Sequence, residues 1–192
     1  MQLDQGERGF SFQKEGPLDM RMDQQGPLTA GEIVNRWSFK RLVAIFQEYG
    51  EERRAKTMAR TIIAEREKEP ILTTTALADI LSRAVGHVRG KLHPATLVFQ
   101  ALRMAVNGEL HAIEKGLSTA ISALSPSGRL GVITFHGLED RLVSGILRRS
   151  CRGKKHPVAH FITDHVMRPT AEEKGMNRRS RSAKLRAIEK AP

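Results

Sequence analysis

Ser125-Pro126-Ser127-Gly128-Arg129-Leu130-Gly131-Val132-Ile133-Thr134-Phe135-His136-Gly137-Leu138-Glu139-Asp140-Arg141 is the stretch that decides the fold class of this chain. The Pro-Ser-Gly turn closes one element. Leu130 to Phe135 is a short apolar run bounded by that turn, the mark of a strand buried within a sheet. Leu138 to Arg149 then takes helical spacing, with acids in its first turn where the helix dipole favours them. Upstream, 95–124 reads as one long helix with Val98, Leu102, Ala105 and Ile113 on one side, weakened locally at Gly108 and Gly116. Downstream, Phe161 to Thr163 and Lys184 to Ile188 are weaker strand candidates. Helix, turn, buried strand, helix is the grammar of an open α/β sheet.

From Leu28 to about Leu92 the pattern is helical throughout. Thr29 is placed to cap a short helix, with Glu32 three residues on as in a capping box. Ser38 is placed to cap a second, carrying Leu42, Ile45 and Phe46 on one face and stopping at Gly50. A third is expected from Glu51 to about Lys68, with Ala55, Met58, Ala59, Ile62 and Ile63 at three-four spacing, ended by Pro70. A fourth starts near Thr73 or Thr74 and carries Leu77, Ile80 and Leu81. Trp37 and Tyr49 lie on these helical stretches and read as core rather than as base-stacking platforms. Residues 1 to 27 are punctuated by Gly6, Gly9, Gly16-Pro17 and Gly26-Pro27 and lack periodicity. Phe10, Phe12, Met20 and Met22 make them an ordered loop rather than a disordered tail.

Composition narrows the classes. One cysteine, Cys151, cannot form an internal disulfide, and no Cys/His set has zinc-ligand spacing, so no metal site is expected. No apolar run reaches the ~20 residues of a membrane span, and the polar, acidic start Met1 to Gln5 is no signal peptide. A reducing, cytoplasmic setting fits. The net charge is +11, and residues 145–192 hold thirteen Lys/Arg against four Asp/Glu. Such a tail favours phosphate-rich partners through counterion release, or serves only as a solvated basic surface.

The motifs carry more. Gln2-Leu3-Asp4 is followed by Glu7-Arg8-Gly9-Phe10-Ser11-Phe12 and by Gly16-Pro17-Leu18-Asp19-Met20-Arg21-Met22-Asp23. Then come Tyr49-Gly50-Glu51-Glu52 with Ala55-Lys56, Phe99-Gln100-Ala101-Leu102-Arg103 with Val106-Asn107 and Glu109-Leu110, and Gly128-Arg129-Leu130 leading into Phe135-His136-Gly137-Leu138-Glu139-Asp140-Arg141. Arg179-Ser180-Arg181-Ser182-Ala183-Lys184-Leu185-Arg186 closes the set. These ordered blocks, over nearly the whole chain, resemble the carboxyl-terminal two-thirds of the 16S rRNA cytosine-N4 methyltransferases, the RsmH/MraW family. The chain departs from the family's usual residues at Gly137, Arg178 and Leu97-Val98, and 151–174 is shorter than in many relatives. The family's amino-terminal part, with the glycine-rich turn of the methyl-donor site, has no counterpart here. Met1 therefore reads as an internal start, of translation or of a gene boundary.

The resemblance implies a partial Rossmann-like class I methyltransferase sheet with an inserted all-helical subdomain. Residues 1–27 and 94–192 would belong to the methyltransferase domain, and 28–93 would be the insertion. It implies S-adenosylmethionine as methyl donor, with Gln2 the one matched donor contact, and a cytidine of 16S rRNA in the small ribosomal subunit as acceptor. Asp19, Asp23 and His136 are the acceptors available for the protons of N4. The reading of the residues leaves a second account open for each. Arg21 could simply clamp the Asp19–Asp23 loop by ion pairs, and His136 with Glu139 and Asp140 could serve helix capping. In Arg178, Arg179, Arg181 and Lys184 the resemblance places RNA-phosphate contacts. A homodimer, or association with a missing amino-terminal half, is expected of a sheet lacking strands. A non-enzymatic RNA-binding remnant and a helical protein-interaction module are the other classes.

Overall fold

The computed structural model describes residues 6–86, 92–152, 157–163 and 165–192. They fall into two compact units, Met1–Gly108 and Glu109–Pro192.

Among the described residues the first unit is built on five α-helices: α1 (Ala30–Arg36), α2 (Phe39–Glu48), α3 (Ala55–Arg66), α4 (Thr74–Val85) and α5 (Ala95–Asn107). Thr29 and Thr73 cap α1 and α4, their hydroxyls accepting from the N–H groups of Glu32 and Ala76. Ser38 occupies the N-cap position of α2 but makes no side-chain capping bond. The apolar three-four positions point inward as their spacing requires: Leu42, Phe46, Met58, Ile62, Leu77, Leu81 and Leu102 are fully buried in one cluster. Trp37 and Tyr49 pack against that cluster while remaining partly exposed. Asn35 acts as a staple between helix and loop, its Nδ2 donating to the Ile71 carbonyl at 2.8 Å and its Oδ1 accepting from the Ile71 N–H at 2.9 Å.

Two helix assignments differ from expectation. Residues 51–54 do not open α3; they form a turn in which Glu51 takes a left-handed conformation (φ 51°) and the buried Glu52 accepts from the Arg54 N–H at 2.7 Å. Gly50 is required by crowding, because a Cβ there would lie 2.6 Å from the Leu97 carbonyl oxygen and 2.7 Å from that of Phe46. The single helix expected over 95–124 is broken at Gly108, whose φ of 56° ends α5 in a left-handed cap.

The opening loop is ordered on this unit. Arg8 donates to the carbonyls of Arg21 (2.7 Å) and Met22 (3.0 Å), and Met20 is fully buried. Asn107 clasps the same loop, donating to the Met20 carbonyl at 2.8 Å and accepting from the Met22 N–H at 2.7 Å. Phe12 stacks on His93 with ring centroids 4.6 Å apart. Among the described residues from 28 to 86 there is no strand, only an isolated bridge between Pro17 and Thr73.

The second unit holds α6 (Glu109–Ala123), β1 (Arg129–Thr134), α7 (Gly137–Cys151), β2 (Ala159–Phe161), α8 (Ala171–Met176) and β3 (Lys184–Lys190). The apolar run is a strand, but it is not buried on both faces. The sheet has the order β1-β3-β2 and both pairings are antiparallel, with Ile133 opposite Leu185 and Phe161 opposite Ile188. Leu130, Val132 and Ile188 face a cluster formed with Leu117, Ile121, Val143 and Leu147 of α6 and α7. The opposite face carries Ile133, 58% exposed. Since β1 lies at the end of the strand order, no described strand pairs with its outer edge. The turn before β1 is tied down by β3: the Ser127 N–H donates to the Lys190 carbonyl, and Lys190 Nζ caps the carbonyls of Ser122 and Leu124.

Candidate functional site

In the first unit, Asp19 and Arg21 form a fork-to-fork pair: Arg21 Nε to Asp19 Oδ1 at 2.9 Å and Arg21 Nη2 to Asp19 Oδ2 at 2.7 Å. The Arg21 guanidinium also donates to the Gly26 carbonyl. The Arg21 hydrogen bonds hold the Asp19 carboxyl below the ordinary carboxylate range, against the opposing effect of burial. Both Asp19 oxygens are thus committed, and Asp19 is a weak proton acceptor. Asp23 is exposed and uses one oxygen to accept from the Gln25 N–H at 3.0 Å. Met20 between them sits at φ 60°, a conformation that strains a side chain of its size.

In the second unit, His136 caps α7. Its Nδ1 accepts from the Glu139 N–H at 3.4 Å, while Glu139 Oε2 accepts from the N–H groups of Phe135 (2.9 Å) and His136 (3.3 Å). This is a reciprocal capping box with histidine in the place usually held by serine or threonine. With Nδ1 accepting, the neutral ring carries its proton on Nε2. Nε2 lies 3.1 Å from Glu139 Oε1, sealed from solvent and not aligned for a hydrogen bond. Burial works to raise the Glu139 pKa, but the contacts from His136 and the Phe135 N–H outweigh it, and the net shift is downward. Glu109 joins His136 and Glu139 in a cluster whose donor atoms lie within 4.8 Å of one another. The tautomer argues against a metal there, because a cation on Nε2 would need the proton on Nδ1, facing the Glu139 N–H.

Asp140, 9% exposed, accepts from Arg186 Nε at 3.0 Å and Lys184 Nζ at 2.9 Å, locking α7 onto β3. Burial opposes ionisation, but the two cations hold its pKa below the ordinary value. Lys184 is therefore engaged inside the unit. Arg178, Arg179 and Arg181 lie exposed on a 3-10 turn (Arg178–Ser182) that Asn177 caps through the Arg179 N–H. Gln2 lies outside the described residues. Sequence reasoning missed the Asp140 clamp, whose partners lie 44 and 46 residues away. The His136-x-x-Glu139 spacing did carry the signal of the capping box.

With these groups in place, comparison with known proteins defines the class. Residues 1–191 match the MraW methylase family, and the chain belongs to that family. It is 49% identical to proteins named ribosomal RNA small subunit methyltransferase H from Thermomicrobium roseum, Carboxydothermus hydrogenoformans and Bdellovibrio bacteriovorus. The alignments cover 98%, 98% and 99% of this chain but 62%, 65% and 56% of those relatives. The chain thus spans about three-fifths of the length of the curated relatives it matches. Among the described residues no helix is long and apolar enough to cross a membrane.

Proposed function

We propose that this chain forms part of an S-adenosylmethionine-dependent methyltransferase that modifies the exocyclic N4 of a cytidine in 16S rRNA of the small ribosomal subunit, in the cytoplasm. The observation that carries the reading is the family match over residues 1–191 together with three relatives named as small subunit rRNA methyltransferases. The non-enzymatic and protein-interaction alternatives have no comparable support.

The described residues do not fit the methyl donor by themselves. At the β1–α7 junction the capping box occupies the N–H groups that a bound ligand would use, and no glycine-rich turn follows the strand. No step is therefore routed through the donor, and Gln2 is the contact proposed for it. On the acceptor side, the N4 lone pair is delocalised into the ring, so the base must be held out of its stack and aimed. Proton acceptance near N4 then matters. Of Asp19, Asp23 and His136, the geometry favours Asp23. Arg21 saturates Asp19, while His136 spends Nδ1 on the helix and keeps Nε2 against Glu139. In this proposal Arg178, Arg179 and Arg181 contact phosphate, with Lys184 held as their support on β3.

The proposed architecture is a Rossmann-like layer made of 1–27 and 94–192, with 28–93 as a helical insertion. The second unit supplies its antiparallel end, and the open edge of β1 takes the next strand from the additional length of the relatives. The test is transfer of a labelled methyl group to undermethylated small subunits. The chain alone should give no transfer and no micromolar affinity for the donor by calorimetry. Adding the amino-terminal segment of a relative should give both. Robust transfer by the chain alone would overturn the architectural half of the proposal, and no transfer by the completed protein would overturn the functional half.

A further inference from the structure

The helical unit carries a second concentration of positive charge that net charge conceals. Residues 33–47 contain three Lys/Arg and no Asp/Glu, and residues 53–64 contain four and none. The neutralising acids sit outside these stretches, at Glu32, Glu48, Glu51, Glu52 and Glu65. The two stretches are α2 and α3 with their approaches, and the helices pack on one another.

Both helices lack an acid in their first turn. In α2 that turn instead holds Lys40 and Arg41, cations at the positive end of the helix dipole, where they oppose folding. Lys40, Lys56, Arg41 and Arg60 are exposed and have no carboxylate partner among the described residues. The two arginines are paired with aromatic rings instead. The Arg41 guanidinium lies 3.7 Å from the centroid of the Trp37 ring, and that of Arg60 lies 5.7 Å from the centroid of Phe39. An aromatic ring orients a guanidinium without cancelling its charge, so the planar fork remains available to an anion or a stacked base. Cations that cost helix stability, held in place by aromatics and left without acids, make a surface arranged for an external polyanion.

We infer that Trp37, Phe39, Lys40, Arg41 and Arg60 form a ledge that grips single-stranded rRNA, separate from the arginines of 178–181. The inference rests on the RNA-substrate reading above and adds to it a second contact surface on the helical insertion. Phosphates meet Lys40, Arg41 and Arg60, and a base stacks against the Trp37–Arg41 pair.

Trp37 is the one tryptophan in the chain, so its emission reports on the ledge alone. The full chain is titrated with a fluorescein-labelled single-stranded RNA of about 12 nucleotides, anisotropy giving affinity and a parallel unlabelled titration giving Trp37 emission. Emission should be quenched at the concentrations where anisotropy saturates. The combined variant Lys40→Gln, Arg41→Gln, Arg60→Gln should bind on the order of 30-fold more weakly near physiological salt and lose about 2 from the slope of log affinity against log salt, at ~0.7 per phosphate. These three side chains are exposed, and an unchanged far-UV circular dichroism spectrum shows the variant folded. RNA binding with Trp37 emission unmoved overturns the ledge. So does an unaltered salt slope in the variant, and if Arg178→Gln with Arg181→Gln then abolishes binding, the RNA reading stands while the ledge falls. Absence of any RNA binding by the unaltered chain would overturn the ledge, while the RNA-substrate reading is decided separately by methyl transfer from the completed protein.

Discussion

Replacing Ile133 by lysine should weaken the self-association that the open edge of β1 is expected to drive. The outer edge of β1 has no strand partner among the described residues, and Ile133 and Phe135 beside it are 58% and 52% exposed. In an antiparallel strand alternate residues aim N–H and C=O outward, so this edge offers a row of pairing groups next to apolar side chains. Fully burying such a side chain is worth ~1.5–3 kcal/mol, so covering the exposed half of Ile133 contributes about 1 kcal/mol. In a symmetric pair of copies the contribution counts twice, giving about 2 kcal/mol, or roughly a 30-fold change in dissociation constant. Because Ile133 faces away from the α6–α7 cluster, the lysine should cost the fold less than about 0.5 kcal/mol. Sedimentation equilibrium between low and high micromolar concentration reads the constant directly. A wild-type chain that is monodisperse and monomeric over that range, with one sharp cooperative melt, would refute the reasoning, as would a variant whose constant is unchanged.

Further outcomes follow from named contacts. Asp140→Ala leaves the partly buried Lys184 and Arg186 without a counterion and should cost about 2–3 kcal/mol, less than the roughly 3–5 kcal/mol of breaking a fully buried pair because both cations keep some contact with solvent; urea unfolding in the Ile133→Lys background measures it. The folded Asp140 pKa lies below its unfolded value, so its stabilisation is present above about pH 4 and lost as pH falls through the folded value, and the stability difference between the two proteins should shrink in acid. Glu139→Gln should cost about 1 kcal/mol by weakening the reciprocal cap, with exchange of the Phe135 and His136 amides accelerated in hydrogen-exchange NMR, whereas unchanged exchange would remove the capping role. Gly50→Ala should cost about 2 kcal/mol or more, because its Cβ meets two backbone carbonyls that cannot move independently, and a melting temperature within a degree of wild type would contradict that.

Local signals carried much of the architecture. Thr29 and Thr73 announce their helices because capping chemistry lies within three residues, and the inward faces of α2, α3 and α4 follow from spacing alone. β1 is legible because a turn and a helix start bound it closely. Its antiparallel partner was only a weak candidate, because pairing of Arg129 with Glu189 spans 60 residues and leaves no local trace. In the sequence Gly108 signals only a local weakening, because glycine inside a helix is tolerated, and only its positive φ shows that it ends one. In the candidate site, the Arg21 clamp and the His136 cap were each visible as one of two readings. Sequence alone did not choose between them, since the choice depends on where a guanidinium and an imidazole point. The Asp140 clamp was hidden for the same reason as the sheet pairing.

The Asn107 clasp has a kinetic consequence. Its side chain reaches Met20 and Met22 across 87 and 85 residues, while the helices between are joined by short connections. Contacts that close so long a loop form after those of neighbouring helices, because their entropy must be met before they stabilise anything. The opening segment should therefore dock last and leave first. Truncating Asn107 to alanine would then leave the refolding rate nearly untouched and speed unfolding, so the damage would appear as a shortened lifetime of the folded state rather than as slow acquisition of it.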